Sequence, residues 1–405
     1  MPTRYLVLRS DMPFHDVLAG VPVLESSRAG HTGLRPGLTI ETFDGQEKDG
    51  GALREDPRSA AVMDADVLFA LIEPKSEGTS TAEPESLLVK AGTQRVTAGL
   101  PAVGATTSAF TGQGVTVAVL DTGADVTHPA FAGLTIAARN FTDEGLVDDV
   151  RDENGHGTHC AATVCGRVVG DVRVGVATGV TKLCLGKVLK KDRRGTLEML
   201  LKAMFWAVFE QKAAVVSISL SFDLPGNAAR LQLFNNMDPA SATAVAMRQQ
   251  AEIIKGIDTL RQFLESQSPA VVFVAATGNE SLRPHRVLPA GLPATQLLPV
   301  GAVGAISGGW GIAEFSNSRA QVVAPGVDVV SAAVGGGWTT MSGTSMATPH
   351  VAGVAALWVE KLRNEGSLGM PAVVRTMLTT TARRPPIVDG DIDSIGYGMV
   401  QAPVA

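Results

Sequence analysis

The sequence predicts an α/β fold: a doubly wound, mostly parallel sheet, preceded by a small N-terminal α+β domain. Three observations carry that prediction. Residues 115–120 (Val-Thr-Val-Ala-Val-Leu) form an unbroken apolar, β-branched run, as expected of a parallel strand buried on both faces. Further strands at 180–189, 213–220, 271–276, 298–303 and 321–323 alternate with helical periodicity, clearest at 196–210. With 44 Gly, 22 Pro and 5% aromatic residues, the composition suits many tight turns better than a helical bundle. In such a sheet ligands bind beyond the carboxyl ends of the strands. Asp121 and Asn279 fall at two such ends.

Taken in order, residues 1–75 read as a separate unit, with strands at 5–8 and 38–43, a helix at 48–56 stopped by Pro57, and a strand-like apolar run at 60–72. Residues 73–86 are rich in Pro, Ser, Thr, Gly and Glu and read as an exposed crossing; a helix is expected between 87 and 103. The span 76–99 is therefore assigned as linker, and 100–405 as the main domain. Residues 222–268 are polar at first (Pro225-Gly226-Asn227, Asn235-Asn236), then helical from 240 to 265, and read as an elaborated surface helix pair. Gly343-Thr344-Ser345 is a tight turn feeding an apolar helix, with Pro349 expected within its first turn.

Composition also excludes functions. The net charge of −6 carries no basic block, which argues against nucleic acid or an anionic membrane surface as partner. Three cysteines (Cys160, Cys165, Cys184) allow one bridge at most and no disulfide framework. The N-terminal apolar run is too short for a signal peptide, and no run is long enough to span a bilayer, so a cytoplasmic location is expected.

Ser345 stands where backbone N–H groups lack helical partners and the helix dipole favours negative charge. That place suits an oxygen nucleophile whose attack creates an oxyanion; the plain alternative is a serine N-cap on a core helix. Asp121-Thr122-Gly123 is a weak signal alone. Aspartic proteases need two such carboxylates sharing a proton, and one is present. In Asn154-Gly155-His156-Gly157-Thr158-His159 the glycines allow close approach around His156, whereas a metal reading of His156 and His159 lacks H-E-x-x-H and a further ligand. Gly-Thr-Ser-Met-Ala nearly matches the nucleophile elbow of α/β-hydrolases, but the chain order here is Asp121, His156, Ser345 rather than Ser, acid, His.

With these motifs go GQGVTVAVLDTGADVTHPAF, NGHGTHCAATV, VVSISLS, VVFVAATGN, AEFSNSRAQVVAPGVDVVSA, SGTSMATPHVAGVAAL and the closing GYGMVQA. From about residue 100 to the end the chain resembles the subtilisin-like serine proteases, and its His-Gly-Thr-His-Cys is similar to the proteinase K-like branch. The resemblance implies a serine endopeptidase. Ser345 would attack the scissile carbonyl, His156 would carry the proton, Asp121 would orient the imidazole, and Asn279 would donate to the oxyanion. A carboxylic acid in place of Asn279 would have pointed to the sedolisins. A catalytically silent peptide-binding scaffold of the same fold is the alternative.

The resemblance also implies that polypeptide substrate pairs as an added strand between an edge at Arg193, Arg194 and Gly195 and another at Ser219, Leu220 and Ser221. Ser221 and Ser217 depart from the family's usual Gly and Asn; the first is expected to narrow the primary pocket, the second to change a buried hydrogen bond. Ala275, Ala276, Thr277 and Gly278 are expected to line that pocket, with Glu280 at its rim and Val287 at its base. Such a lining favours an uncharged, medium-sized side chain, and Arg193 and Arg194 favour acidic residues upstream of the cut. Residues 1–75 resemble an inhibitory pro-segment, which would make the chain's own N-terminus an intramolecular inhibitor with processing between about 73 and 99; the alternative is a permanent N-terminal domain. Cys160 reads as a small buried hydrophobe beside His156. No cofactor is required and no metal ligand is assigned. Asp143, Glu144, Asp148 and Asp149, or Asp389, Asp391 and Asp393, leave room for calcium as a structural ion, although neither run matches an EF-hand loop.

Overall fold

The chain opens with a three-stranded antiparallel sheet in which β1 (Thr3–Ser10) lies between β2 (Leu38–Gly45) and β3 (Ser59–Asp64). The computed structural model describes residues 3–10, 37–75, 80–268, 270–282, 285–287, 292, 295–368, 372–384 and 391–404. Period-two alternation divides β1: Tyr5 and Val7 pack with Val62, Phe43 and Leu53, the last from the helix Glu47–Glu55. Leu6 and Leu8 face the other way and join Leu38, Ala61 and Met63 against the main domain.

The 60–72 run is not one strand. The backbone N–H of Asp66 bonds the Asp64 carboxylate at 2.9 Å in a tight turn, and the chain leaves this sheet as β4 (Leu68–Leu71). The helix expected between 87 and 103 is also corrected. After a 3-10 turn at Pro84–Leu87 come β5 (Val89–Ala91) and β6 (Gln94–Val96), joined through Gly92 at φ +63°, and only Gly99–Ala102 is helical. β6 pairs in parallel with Val172–Arg173, and Arg95 grips Asp171 with two nitrogens at 2.7 and 2.8 Å. Residues 84–98 are thus fastened to the main domain instead of crossing freely, because short strands find a ready edge there.

The central sheet is built from β7 (Thr116–Asp121), β8 (Thr135–Asn140), β10 (Lys182–Lys187), β12 (Val215–Ile218), β14 (Val272–Ala276), β15 (Leu298–Ile306), β16 (Gly309–Ile312) and β17 (Val322–Pro325), with β9 being the Val172–Arg173 strand above and β11 and β13 given below. Its order is β16-β15-β14-β12-β7-β10-β8, with β17 also beside β15, and all neighbours run parallel except β15 and β16. Alternate residues of β7 serve two cores. Val117 and Val119 pack with the helices His156–Cys165 and Thr344–Asn364. Ala118 and Leu120 pack with Leu197–Phe205 and Pro239–Gln267.

The 213–220 run breaks at Ser219: β12 stays in the central sheet, and β13 (Leu220–Phe222) departs toward β4 and β11 (Arg194–Thr196). Where 222–236 read only as polar, Asp223 caps a helix at Leu224–Asn235 by accepting from Gly226 N at 2.9 Å. The next helix is more than surface elaboration. Its Ile253, Ile257, Leu260 and Leu264 are buried with Leu6, Leu8 and Met63 of the N-terminal sheet. Gly256 leaves a notch for Met63, whose Sδ would lie 1.8 Å from a Cβ at that position. Gln249 donates to Asp64 at 2.6 Å, and Arg54 pairs with Glu252 at 2.9 Å. Among the described residues no helix is long and apolar enough to cross a membrane.

Candidate active site

Asp121 ends β7, where the strand stops at a turn, and His156 opens the next long helix. Packing these two ends together requires glycine. A Cβ on Gly157 would stand 2.1 Å from the carbonyl oxygen of Gly123, and Gly123 itself has φ +110°. The result is a 2.8 Å bond between His156 Nδ1 and Asp121 Oδ1, with both side chains sealed from solvent. Asp152 fixes the junction. Its carboxylate accepts from the Thr122 hydroxyl, from the N–H groups of Asn154, Gly155 and Thr158, and from the Thr158 hydroxyl, at 2.7 to 3.1 Å. Lys187 adds a second tie, its buried ammonium donating to Thr122 O at 2.7 Å and Arg151 O at 3.1 Å.

Burial opposes charge on His156, yet the Asp121 carboxylate and then Cys160 beside it together outweigh this and hold the imidazole well above its ordinary 6.5. Burial pushes the Cys160 thiol up, against the opposing pull of His156 beside it. His159 is different. Burial takes it down to about 3, and its Nε2 bonds Val329 O at 2.9 Å, so it is not paired with His156 as a metal site would need. Metal-type donor atoms of Asp121, His156 and Cys160 lie within 4.8 Å of one another, with the carboxylate already bonded to the imidazole.

Ser345 is the second residue of the Thr344–Asn364 helix. Pro349 falls in the second turn, not the first, and has no N–H to offer the carbonyl four residues back. That carbonyl belongs to Ser345. It accepts instead from Cys160 Sγ at 3.4 Å and from Ser219 Oγ at 3.5 Å, which accounts for a small donor side chain at position 160. Asn279 follows β14, and its Oδ1 accepts from both Thr344 N (2.9 Å) and Thr344 Oγ1 (2.8 Å). With its oxygen so engaged, the Asn279 amide N–H groups face the position beside Ser345.

That position is filled by the chain's own N-terminal segment. β4 lies antiparallel between β11 and β13, with Phe69 opposite Gly195, Ala70 opposite Arg194 and Ser221, and Leu71 opposite Leu220. Leu71 N bonds Arg193 O at 2.9 Å and Ile72 N bonds Ser219 O at 3.4 Å. The Ser345 hydroxyl donates to Ile72 O at 3.2 Å, Asn279 Nδ2 donates to Glu73 O at 2.9 Å, and Lys75 N bonds Ser342 O at 2.8 Å. His156 Nε2, in consequence, has no hydrogen-bond partner among the described residues.

The remaining sequence-derived positions are distributed as follows. Ala275, Ala276, Thr277 and Gly278 are all buried, but Ala275 packs in the core layer shared with the N-terminal sheet. Glu280 bonds Asn317, and Val287 is 37% exposed, so it is not sealed at a pocket base. Ser221 stands across from Ala70, two residues before Ile72, and Ser217 is buried within β12. Arg193 pairs with Glu73 at 3.1 Å, an acid that follows Ile72 rather than preceding it, whereas Arg194 faces Asp223 at 3.7 Å. Asp152, Lys187 and Thr344 escaped sequence reading. Asp152, four residues before His156 in Asp-Glu-Asn-Gly, had a usable turn signal; the lysine and threonine had none, since their partners, backbone carbonyls for Lys187 and the Asn279 amide for Thr344, are remote in sequence.

A subtilase family profile matches residues 112–398, the span that holds Asp121, His156, Asn279 and Ser345. The chain belongs to the subtilase family. Its relatives among subtilisin-like serine proteases include a Paenibacillus polymyxa protein named intracellular serine protease, 37% identical over 259 residues, or 62% of this chain and 68% of that one. Proteins named subtilisin-like protease 6 from Trichophyton verrucosum and Trichophyton tonsurans are each 34% identical over 280 residues, 68% of this subtilase. The match covers 58% of the length of those two fungal proteins.

Proposed function

We propose that this subtilase is a serine endopeptidase held silent by its own N-terminal domain. Ser345 attacks the carbonyl of the residue seated beside it, His156 takes the hydroxyl proton and returns it to the leaving amine, and Asp121 holds the tautomer and stabilises the imidazolium. Asn279 and the Ser345 N–H receive the oxyanion. The observation that carries the reading is the course of residues 68–73, which pair with both groove edges and bring two successive carbonyls to Ser345 and Asn279. Such a strand occupies the place of substrate. It also diverts the Ser345 proton to Ile72 O, away from the imidazole. Ile72 is buried, uncharged and medium-sized, in keeping with the preference read from the small pocket lining.

Because 84–98 are fastened by the 3-10 turn, β5, β6 and Arg95, we narrow processing to residues 73–83. The reaction needs no cofactor in this reading. The acidic loop is matched within the chain, Asp143 by Lys190, Glu144 by the N–H of Lys191 and Asp149 by Arg151, and those partners do not make a calcium cage. Asp391 caps the helix Ile392–Ile395 and pairs with Arg286; Asp389 lies outside the described residues. The Paenibacillus relative, named intracellular serine protease, supports a cytoplasmic setting.

The test is a time course of the full chain beside Ser345→Ala, followed by N-terminal sequencing and fluorophosphonate labelling. The expected result is shortening within 73–83 and labelling of Ser345 in the first protein, with neither in the second. Shortening of pure Ser345→Ala protein, or an unlabelled Ser345 in the shortened wild type, counts against the proposal; the latter favours a peptide-binding scaffold.

A further inference from the structure

We infer that Asn227, on the first helix of the 222–268 segment, is a substrate-positioning residue. It lengthens the groove by binding the backbone of a polypeptide at the place held here by Leu68, four residues upstream of Ile72. This rests on the endopeptidase reading above. Asn227 is wholly buried, and its amide meets the peptide units of Leu68 from the side: Leu68 N donates to Asn227 Oδ1 at 3.4 Å, and Asn227 Nδ2 donates to Leu68 O at 3.4 Å. Leu68 O also accepts from Asp223 N at 3.3 Å.

The geometry is that of one more rung in a sheet, supplied by a side chain. β13 ends at Phe222, so beyond it the edge offers a single backbone N–H before the chain turns into a helix. Asn227 restores the missing acceptor and adds a donor. Its own helix provides only one of its partners, the carbonyl of Asp223 at 2.8 Å. Once the N-terminal strand leaves, the side-chain oxygen and one N–H have lost these partners, and a bound backbone in the same place restores both bonds. Both contacts are to main-chain atoms, so the position reads length and extended conformation, not sequence. The substrate class is therefore an extended chain reaching at least to the Leu68 position; peptides ending short of it forgo both bonds.

The experiment uses the full chain after its own processing, with active sites counted by fluorophosphonate at Ser345. kcat/KM is measured for one peptide series carrying three to six residues upstream of the cut, and for an analogue in which an ester oxygen replaces the N–H at the Leu68 position. We expect a step of about 10-fold when that residue is added, and a loss of about 5-fold for the ester. In Asn227→Leu the ratio of long to short peptides falls below about 2-fold, and the ester makes no difference. If that variant does not fold, Asn227→Ser and the ester on the wild type still decide. No step in the wild type, or a ratio that survives in the variant while both rates fall together, overturns the inference and leaves Asn227 as a helix support. Preparations without any titratable Ser345 overturn the endopeptidase reading, and the inference with it.

Discussion

Asn279 Nδ2 lies 2.9 Å from the carbonyl oxygen of Glu73, a residue 206 positions earlier in the chain. The neighbouring carbonyl, Ile72 O, takes the Ser345 hydroxyl. The amide donor and the nucleophile are therefore engaged by two different residues of the same strand. A bound chain in this register has its oxygen atoms, rather than one carbonyl carbon and its oxygen together, matched to the two groups.

Replacing Asn279 by Leu removes the amide while keeping its volume. In the processed protein kcat is expected to fall about 10²–10³-fold with KM little changed, the size known for an oxyanion asparagine in a subtilisin. Steady-state kinetics against active-site titration check this. An equal rise in KM with kcat intact would mean that the amide serves binding alone.

The pH dependence follows from His156. Burial lowers its pKa, Asp121 and then Cys160 raise it, and the folded value stands well above 6.5. The base must be neutral, so the acidic limb of kcat/KM is expected above pH 6.5. The stability sign is opposite. The protonated imidazole stabilises the fold fully below the unfolded value, and that contribution is lost as pH rises through the folded pKa. Asp121→Asn removes the raising charge, which should shift the limb to lower pH and cut kcat about 10⁴-fold. A limb that stays in place in the variant would assign the shift to another group.

Phe69 is 1% exposed and meets the edge of Phe222 at 6.0 Å between ring centres. Phe69→Ala should cost the docked N-terminal domain about 3–5 kcal/mol. Gly256→Leu should fill the notch that receives Met63 and lift the same domain. Either variant is expected to label with fluorophosphonate sooner than the wild type, and size-exclusion chromatography after processing should find the N-terminal fragment released. Labelling at the wild-type rate in both would mean that the domain is not what limits access to Ser345.

Cys160 Sγ lies 3.7 Å from His156 Nδ1 and 3.4 Å from Ser345 O. A bulky mercurial bound there is expected to displace the imidazole and abolish turnover, while Cys160→Ala protein stays active in its presence. Mass spectrometry fixes the stoichiometry. Full labelling of Cys160 with activity intact would contradict this placement.

The sequence by itself determined the sheet and the identity of the reacting groups. Strand runs such as 115–120 are written in local periodicity, and Asp121, His156, Asn279 and Ser345 each sit in a turn or helix start whose residues have a local reason to be there. It also indicated an N-terminal unit, but not how its last strand is used. Within the largely apolar run 60–72 the pair Asp64 and Asp66 is the one local mark of the turn, and nothing local tells that the turn sends Leu68–Leu71 into the groove. The short strands at 89–96 read as a helix because their pairing partner, Val172–Arg173, is some eighty residues away. Asn227 belonged to a stretch that looked merely polar. Tertiary structure decided these points for one physical reason: a strand in a groove, or an amide against a backbone, draws its stability from partners that the local sequence does not contain.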